Sequence, residues 1–330
     1  MAGRLAGAFR NIGRNRIADE IIQTMRAAGY DVRESDPFDS PAPFAHPPRA
    51  LSPYVIRMRL SWQQMREIVL ETFPKARGIP KDTESYVKTV DEIYVEDAYH
   101  SLSIEGYRVS RELIERVRKR AWNPDGDSAD RQQKDAMAAE GYYEAFQLVK
   151  GSVRQVLNGA NAGDVFERDH GAWYRALFAP SVSAGILSAA DLAGYRTGQV
   201  YIRRSKHVPP KPEAVRDTMP ELIELLRTEP DAGVRAVLGH FMFVYIHPYM
   251  DGNGRMGRFL MNLMLASGGC PWTVVPVERR HDYLRALEAA SVGQNVRPFS
   301  EFLGGLVRDR QKVTGMKAKT IAKHPAKRTA

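Results

Sequence analysis

Two segments of this chain, 232–246 and 254–267, are apolar almost all the way round, and a short turn beginning at His247 separates them. A helix with no polar face has to be buried on every side. One such pair cannot bury itself, so the remainder of the chain must supply helices that wrap it. Helical periodicity provides them at 61–72, 84–104, 110–121, 128–150, 163–178, 213–228, 279–291 and 298–310, with one more at 16–28 where Ile17, Ile21, Ile22 and Met25 share a face. Ser110 and Asp231 stand where helix N-caps belong. The exception is QVYIRRSKHV, residues 199–208, in which two β-favouring runs flank a polar turn and Pro209-Pro210 closes the segment. The expectation is an all-α helical bundle carrying one short β-hairpin.

Charge and composition locate the periphery. Residues 35–53 hold six prolines in nineteen positions, which forbids helix and marks a linker. The residues before it are too few for a large core and read as a small helical appendage. The net charge is +9, but residues 1–17 contribute four arginines and residues 311–330 six Lys/Arg with no acid, so 18–310 is close to neutral. Basic ends can meet anionic partners, and solvated, disordered ends are the plainer reading. With 43% apolar and 26% charged residues the chain is globular rather than intrinsically disordered. No apolar run reaches the ~18 residues of a membrane span, and the start lacks the apolar stretch of a secretory signal. A single cysteine, Cys270, can form no internal disulfide. A cytoplasmic protein with no membrane contact is expected.

The chemistry concentrates in HPYMDGNGRMGR, residues 247–258. Pro248 ends the first apolar helix because it has no amide to donate. Around Gly252 and Gly254, successive backbone N–H groups can point into one concavity, an anion-binding nest. The second apolar helix begins there, so its free N–H groups and positive dipole end face the same spot. Arg255 and Arg258, spaced i and i+3, project from nearly one face of its first turn. A potential base, a carboxylate (Asp251), a backbone nest and two guanidiniums thus come together, and a polyphosphate is the natural ligand. His240, alone on an apolar helix, reads as a structural histidine.

This stretch resembles the signature of the Fic family, HxFx(D/E)GNGRxxR, departing from it at Tyr249, where Phe is usual. The similarity continues through GYRTGQVYI (194–202), HVPPKPEAV (207–215) and RHDYLRALEAA (280–290), and spans roughly 84–310. Fic proteins transfer AMP from ATP to a hydroxyl of a target protein. The resemblance therefore implies a protein adenylyltransferase with His247 as general base and Asp251 holding Mg²⁺ against the phosphates. It implies that Gly252, Asn253 and Gly254 form the anion hole, and that Arg255 and Arg258 bind phosphate, with Asn253 and both arginines counted among the catalytic set. Segment 199–208 is similar to the family's flap, which clamps the target by strand-like pairing; Ile202, Arg203, Lys206 and His207 would border the nucleotide, and Tyr283 with Leu284 would line the adenine pocket.

Upstream, Ser101 to Gly106 (SLSIEG) resembles the family's inhibitory (S/T)xxxE(G/N) motif. Ser101 and Glu105 stand one helical turn apart on one face. The resemblance implies that Glu105 pairs with Arg258 and so keeps ATP out of its productive pose. The division expected is 1–53 for appendage and linker, 54–126 for a helical region with the inhibitory helix (84–106), 127–310 for the catalytic domain and 311–330 for a disordered basic tail. Two alternatives stand beside the transferase: removal of AMP at the same site, and a DNA-binding or antitoxin-like regulator whose helical body senses nucleotide, supported by the arginine-rich start. The target protein and the oligomeric state are left open.

Overall fold

In the computed structural model, which describes residues 2–36, 52–120 and 130–323, every regular element is a helix. The chain divides into two compact units, Met1–Leu51 and Ser52–Ala330. The first contains α1 (Ala2–Asn11) and α2 (Asn15–Ala27), which pack through Ala6, Ala18 and Ile22 with Phe9, Ile21 and Val32 beside them. Helix α1 was not expected from the periodicity. Its buried face consists of Gly3, Ala6 and Gly7, residues small enough for segment 33–36 to lie directly on it and too small to register as an apolar stripe. The proline-rich linker expected at 35–53 falls largely outside the described residues.

The second unit runs α3 (Pro53–Thr72), α4 (Thr83–Ile104), α5 (Arg111–Arg118), α6 (Asp130–Leu157), α7 (Ala162–Ser183), α8 (Pro212–Thr228), α9 (Ala232–Ile246), α10 (Asn253–Ser267), α11 (Arg280–Gly293) and α12 (Arg297–Lys323), with 3₁₀ turns at Ala189–Leu192 and Val277–Arg279. The caps form as expected: Ser110 accepts from Leu113 N–H and Asp231 from Val234 N–H. Helices α9 and α10 lie side by side at the centre, with α3, α8, α11 and α12 against the first and α4, α6 and α7 against the second. Nearly every side chain of α10 from Arg255 to Ala266 is buried, so the wrapping demanded by the two apolar segments is met. Helices α3–α5 and α6–α12 contribute to one continuous core. Cys270 is buried within it, as is Tyr249, whose ring stacks on Tyr174 at 3.7 Å between centroids. No helix among the described residues is long and apolar enough to cross a membrane.

Two expectations are corrected. Segment 199–208 is not a β-hairpin; among the described residues it contains no strand. It is an extended loop with a turn at Ile202–Ser205, Arg204 adopting φ 62°. The returning arm ends in Pro209-Pro210, which have no N–H to donate to a ladder, and the Gln199 side chain instead bonds Pro209 O at 3.1 Å. The tip is tied to α11, where Glu288 accepts from Ser205 Oγ and from the Lys206 amide. The basic tail is also not wholly disordered: α12 continues to Lys323, because nothing in QKVTGMKAKTIAK interrupts a helix strongly enough to end it at residue 310. Residues 324–330 lie outside the described part.

Candidate active site

Helix α9 ends at Ile246, and His247 takes a left-handed conformation (φ 53°, ψ 59°). That geometry costs a non-glycine residue about 1–2 kcal/mol, so the surroundings must impose it. They do so through the carbonyls that a helix C-terminus leaves unpaired. The His247 ring Nδ1 lies 3.2 Å from Val244 O; a carbonyl only accepts, so Nδ1 carries the proton and Nε2 presents its lone pair. His207 Nε2 donates to Tyr245 O at 2.9 Å while its ring stacks on Tyr245. Arg196 donates to His247 O at 2.8 Å. Burial holds the His247 imidazole below its ordinary value, against the opposing bond to Val244 O, and the neighbouring Arg196 cation adds to the depression. A neutral imidazole with a free Nε2 is a competent proton acceptor near neutrality.

Past Pro248 and Tyr249, Asn253 fastens the turn: its Oδ1 accepts from Tyr249 N–H at 2.9 Å and its Nδ2 donates to Tyr249 O at 2.8 Å. Both ends of the Asn253 amide are thereby committed to the loop. Gly252 is left-handed (φ 78°), and a Cβ there would lie 3.0 Å from the Phe178 ring. Gly252 caps α10, whose first-turn N–H groups have no intrahelical acceptor. A Cβ on Gly254 would collide with Glu105 Oε1 and stand 3.2 Å from Arg258 Nη1, so only glycine permits that approach. Asp251 is exposed; its Oδ1 accepts from Gly252 N–H at 2.6 Å and its Oδ2 lies 3.6 Å from Arg255 Nη2.

The two arginines are buried beside this turn rather than spread into solvent. Arg255, 1% exposed, lies between Phe178 and Tyr107 with its guanidinium carbon 5.0 and 5.3 Å from the ring centroids. Those two rings come from α7 and the segment after α4, and no sequence spacing signals their convergence. Arg258 bonds Ser101 Oγ at 2.9 Å, Ser101 O at 3.0 Å and Glu105 Oε1 at 2.7 Å. Burial by itself would weaken the Arg258 charge; the facing Glu105, together with Tyr283 and Tyr142, more than offsets it and holds the guanidinium above its ordinary value. Arg255 Nε and Arg258 Nη1 are buried donors with no acceptor within hydrogen-bond geometry, a costly arrangement for a buried polar group. Helix α4, which delivers Ser101 and Glu105, is held from several directions: Tyr142 donates to the buried Asp97 at 2.7 Å, Arg280 to Ile104 O at 2.7 Å, and Val277 N–H to His100 Nδ1 at 3.1 Å.

The remaining expected residues divide. Ile202 is half-buried, and Arg203 and Lys206 are exposed on the loop. His207 is engaged with Tyr245 as described. Tyr283 is 2% exposed, and its hydroxyl lies 2.7 Å from His240 Nε2. Burial pushes that hydroxyl up to about 12 and the His240 imidazole down to about 4. The pair belongs to the core behind Arg258, whereas Leu284 is exposed. Gly106 is left-handed (φ 94°) and turns the chain after Glu105.

A divalent cation has one protein carboxylate available here, Asp251. Among the described residues no group of three or more His, Cys, Asp or Glu side chains could cage an ion. One carboxylate with phosphate oxygens and waters completing the shell is a donor set that Mg²⁺ accepts, so the residues present fit Mg²⁺ carried by a nucleotide.

Residues 167–265 match the Fic/DOC family. Among its relatives, a protein adenylyltransferase Fic of Nematostella vectensis is 30% identical over 273 residues, 82% of this chain and 58% of that protein. One of the same name from Drosophila virilis is 30% identical over 216 residues, 64% of this chain and 41% of that protein. The chain thus spans about half the length of the curated relatives it matches. Solved structures share the fold: a Fic-1 fragment from C. elegans (TM-score 0.57, 21% identity, 80% of this chain and 74% of that one) and a Fic family protein from Desulfovibrio desulfuricans (TM-score 0.57, 22% identity, 86% and 78%).

Proposed function

We propose that this chain is a protein adenylyltransferase that moves AMP from ATP to a hydroxyl of a target protein and is restrained by Glu105. The observation that carries the reading is the turn from His247 to Arg258. An imidazole with a free Nε2 is followed, within one loop, by a glycine-bounded helix N-terminus and two buried guanidiniums that retain unpaired donors. The target hydroxyl attacks the α-phosphorus while its proton passes to His247 Nε2. The bond from that phosphorus to the bridging oxygen breaks, and pyrophosphate leaves. The α10 N–H groups, Arg255 and Arg258 hold the phosphates and balance the charge that develops on the leaving group. Asp251 would hold Mg²⁺, which when bound neutralises phosphate charge. Loop 199–208 offers unpaired backbone groups, and its exposed Tyr201 and Val208 form the docking surface for the target segment.

The restraint follows from the same geometry. With Glu105 at 2.7 Å, Arg258 is occupied. A terminal phosphate cannot take that guanidinium without displacing the carboxylate, whose own charge repels it. Binding of ATP and its productive alignment are therefore separable.

The test is incubation of wild type, Glu105→Gly and Glu105→Gly/His247→Ala with Mg²⁺ and ATP labelled at the α-phosphate, with the label on protein measured. Strong labelling in the single variant alone is the expected result. No labelling in any sample, or equal labelling in the double variant, overturns the assignment.

A further inference from the structure

We propose that Arg196 is a positioning residue for His247, a strut that fixes the carbonyl end of α9 and the foot of loop 198–210 as one unit. The inference rests on the transferase reading for its kinetic meaning, and on geometry for its substance. Arg196 is 4% exposed, yet the four acceptors of its guanidinium are all backbone carbonyls. Nε bonds His247 O at 2.8 Å, Nη1 bonds Gly198 O at 2.9 Å, and Nη2 bonds Pro210 O and, at 3.5 Å, Ile246 O. The Arg196 amide completes the set by donating to Pro248 O at 2.8 Å. Three consecutive carbonyls, 246 to 248, are thus held by one residue, and both arms of the loop meet on the same guanidinium.

The physical need is specific. A helix C-terminus exposes a row of carbonyls at the negative end of its dipole, and here that row must bend into a left-handed residue that carries the reacting nitrogen. A planar fork with five donors in fixed directions can hold two chain segments at once; an ammonium on a flexible stem cannot. The charged and titratable groups facing the imidazole are Arg196, His207 from the loop and Glu105 at the end of α4. Arg196 therefore also contributes a buried positive charge that opposes protonation of His247.

The experiment uses the full chain in the Glu105→Gly background, with Arg196→Gln and Arg196→Lys. Self-modification should lose about 10–100-fold in kcat, the size expected when a catalytic group is misplaced by about 1 Å, while KM for ATP changes less than about 3-fold. The acid limb of the pH profile should move upward in Arg196→Gln, where the cation is gone, and less in Arg196→Lys. An independent readout is the NMR titration of the His247 imidazole without nucleotide, whose midpoint should rise in Arg196→Gln and whose Nδ1–H tautomer should give way to a mixture. A folded Arg196→Gln with wild-type kcat and an unchanged imidazole titration overturns the proposal. Should Arg196→Gln not fold, Arg196→Lys gives the kinetic split, and an Nε2–H tautomer in the wild-type protein overturns it equally. If no variant labels itself, the transferase reading has failed, and the titration still decides the role of Arg196.

Discussion

Replacing Glu105 by glycine removes one charge from a pair whose other member is buried. Two unit charges about 4 Å apart interact by about 4 kcal/mol at the effective dielectric of a protein surface. The Glu105 side chain is 31% exposed against 4% for Arg258, so solvent screens part of this and about 2–3 kcal/mol is the usable figure. Two consequences follow. Arg258 keeps its bonds to Ser101 Oγ and Ser101 O, so the fold survives, but its charge is less compensated and the melting temperature of the ligand-free protein falls. ATP no longer has to displace a carboxylate, so kcat/KM for labelling rises by roughly 30–150-fold, the same 2–3 kcal/mol at ~1.4 kcal/mol per decade. Thermal unfolding with and without Mg-ATP, beside a labelling time course, measures both. The stabilisation by Mg-ATP should be larger in the variant than in the wild type. Glu105→Gln, which keeps the shape and loses the charge, should fall between. A variant that is no less stable without nucleotide and labels no faster refutes the reasoning, because the carboxylate would then restrain nothing.

Three further outcomes are expected. His247 is depressed from its ordinary ~6.5, so it remains a neutral base on the acid side of that value; the acid limb of kcat/KM in Glu105→Gly should lie below pH 6.5, and a limb above 7 would contradict the burial argument. The same depression makes protonation favour the unfolded chain, so this contribution to stability is lost as pH falls from ~6.5 through the folded-state value. Gly254→Ala should destabilise the wild type more than it destabilises Glu105→Gly, since its new methyl meets Glu105 Oε1; equal effects in a double-mutant thermal cycle would show that the two do not touch. Tyr283→Phe leaves His240 Nε2 without its partner in the core and should cost about 1–3 kcal/mol of stability with KM for ATP little changed; a selective rise in KM would instead place the ring at the nucleotide.

Much of this protein is written locally. Apolar periodicity and the Ser110 and Asp231 caps fixed where α5, α9 and their neighbours form, because the forces that start and stop a helix act within one or two turns. The run from His247 to Arg258 is legible as a candidate site for the same reason: a histidine, two glycines and two arginines within twelve residues need no distant partner to be recognised. The tertiary structure decided the rest. Whether 199–208 pairs as strands depended on competition from Glu288, 83 residues from Ser205, and on prolines that leave the returning arm without donors. Tyr283 has the same spacing whether it faces a ligand or the core, and only the packing of α11 on α9 turned it toward His240. Arg196, Phe178 and Tyr107 carry no local mark of the contacts they make, since each meets an atom supplied by another element. The pairing of Glu105 with Arg258 joins residues 153 apart; helical periodicity put each side chain on a face, and the packing of α4 on α10 brought the faces together. Short-range torsional and hydrogen-bonding preferences are properties of a segment, whereas the placement of a buried charge is settled by what surrounds it.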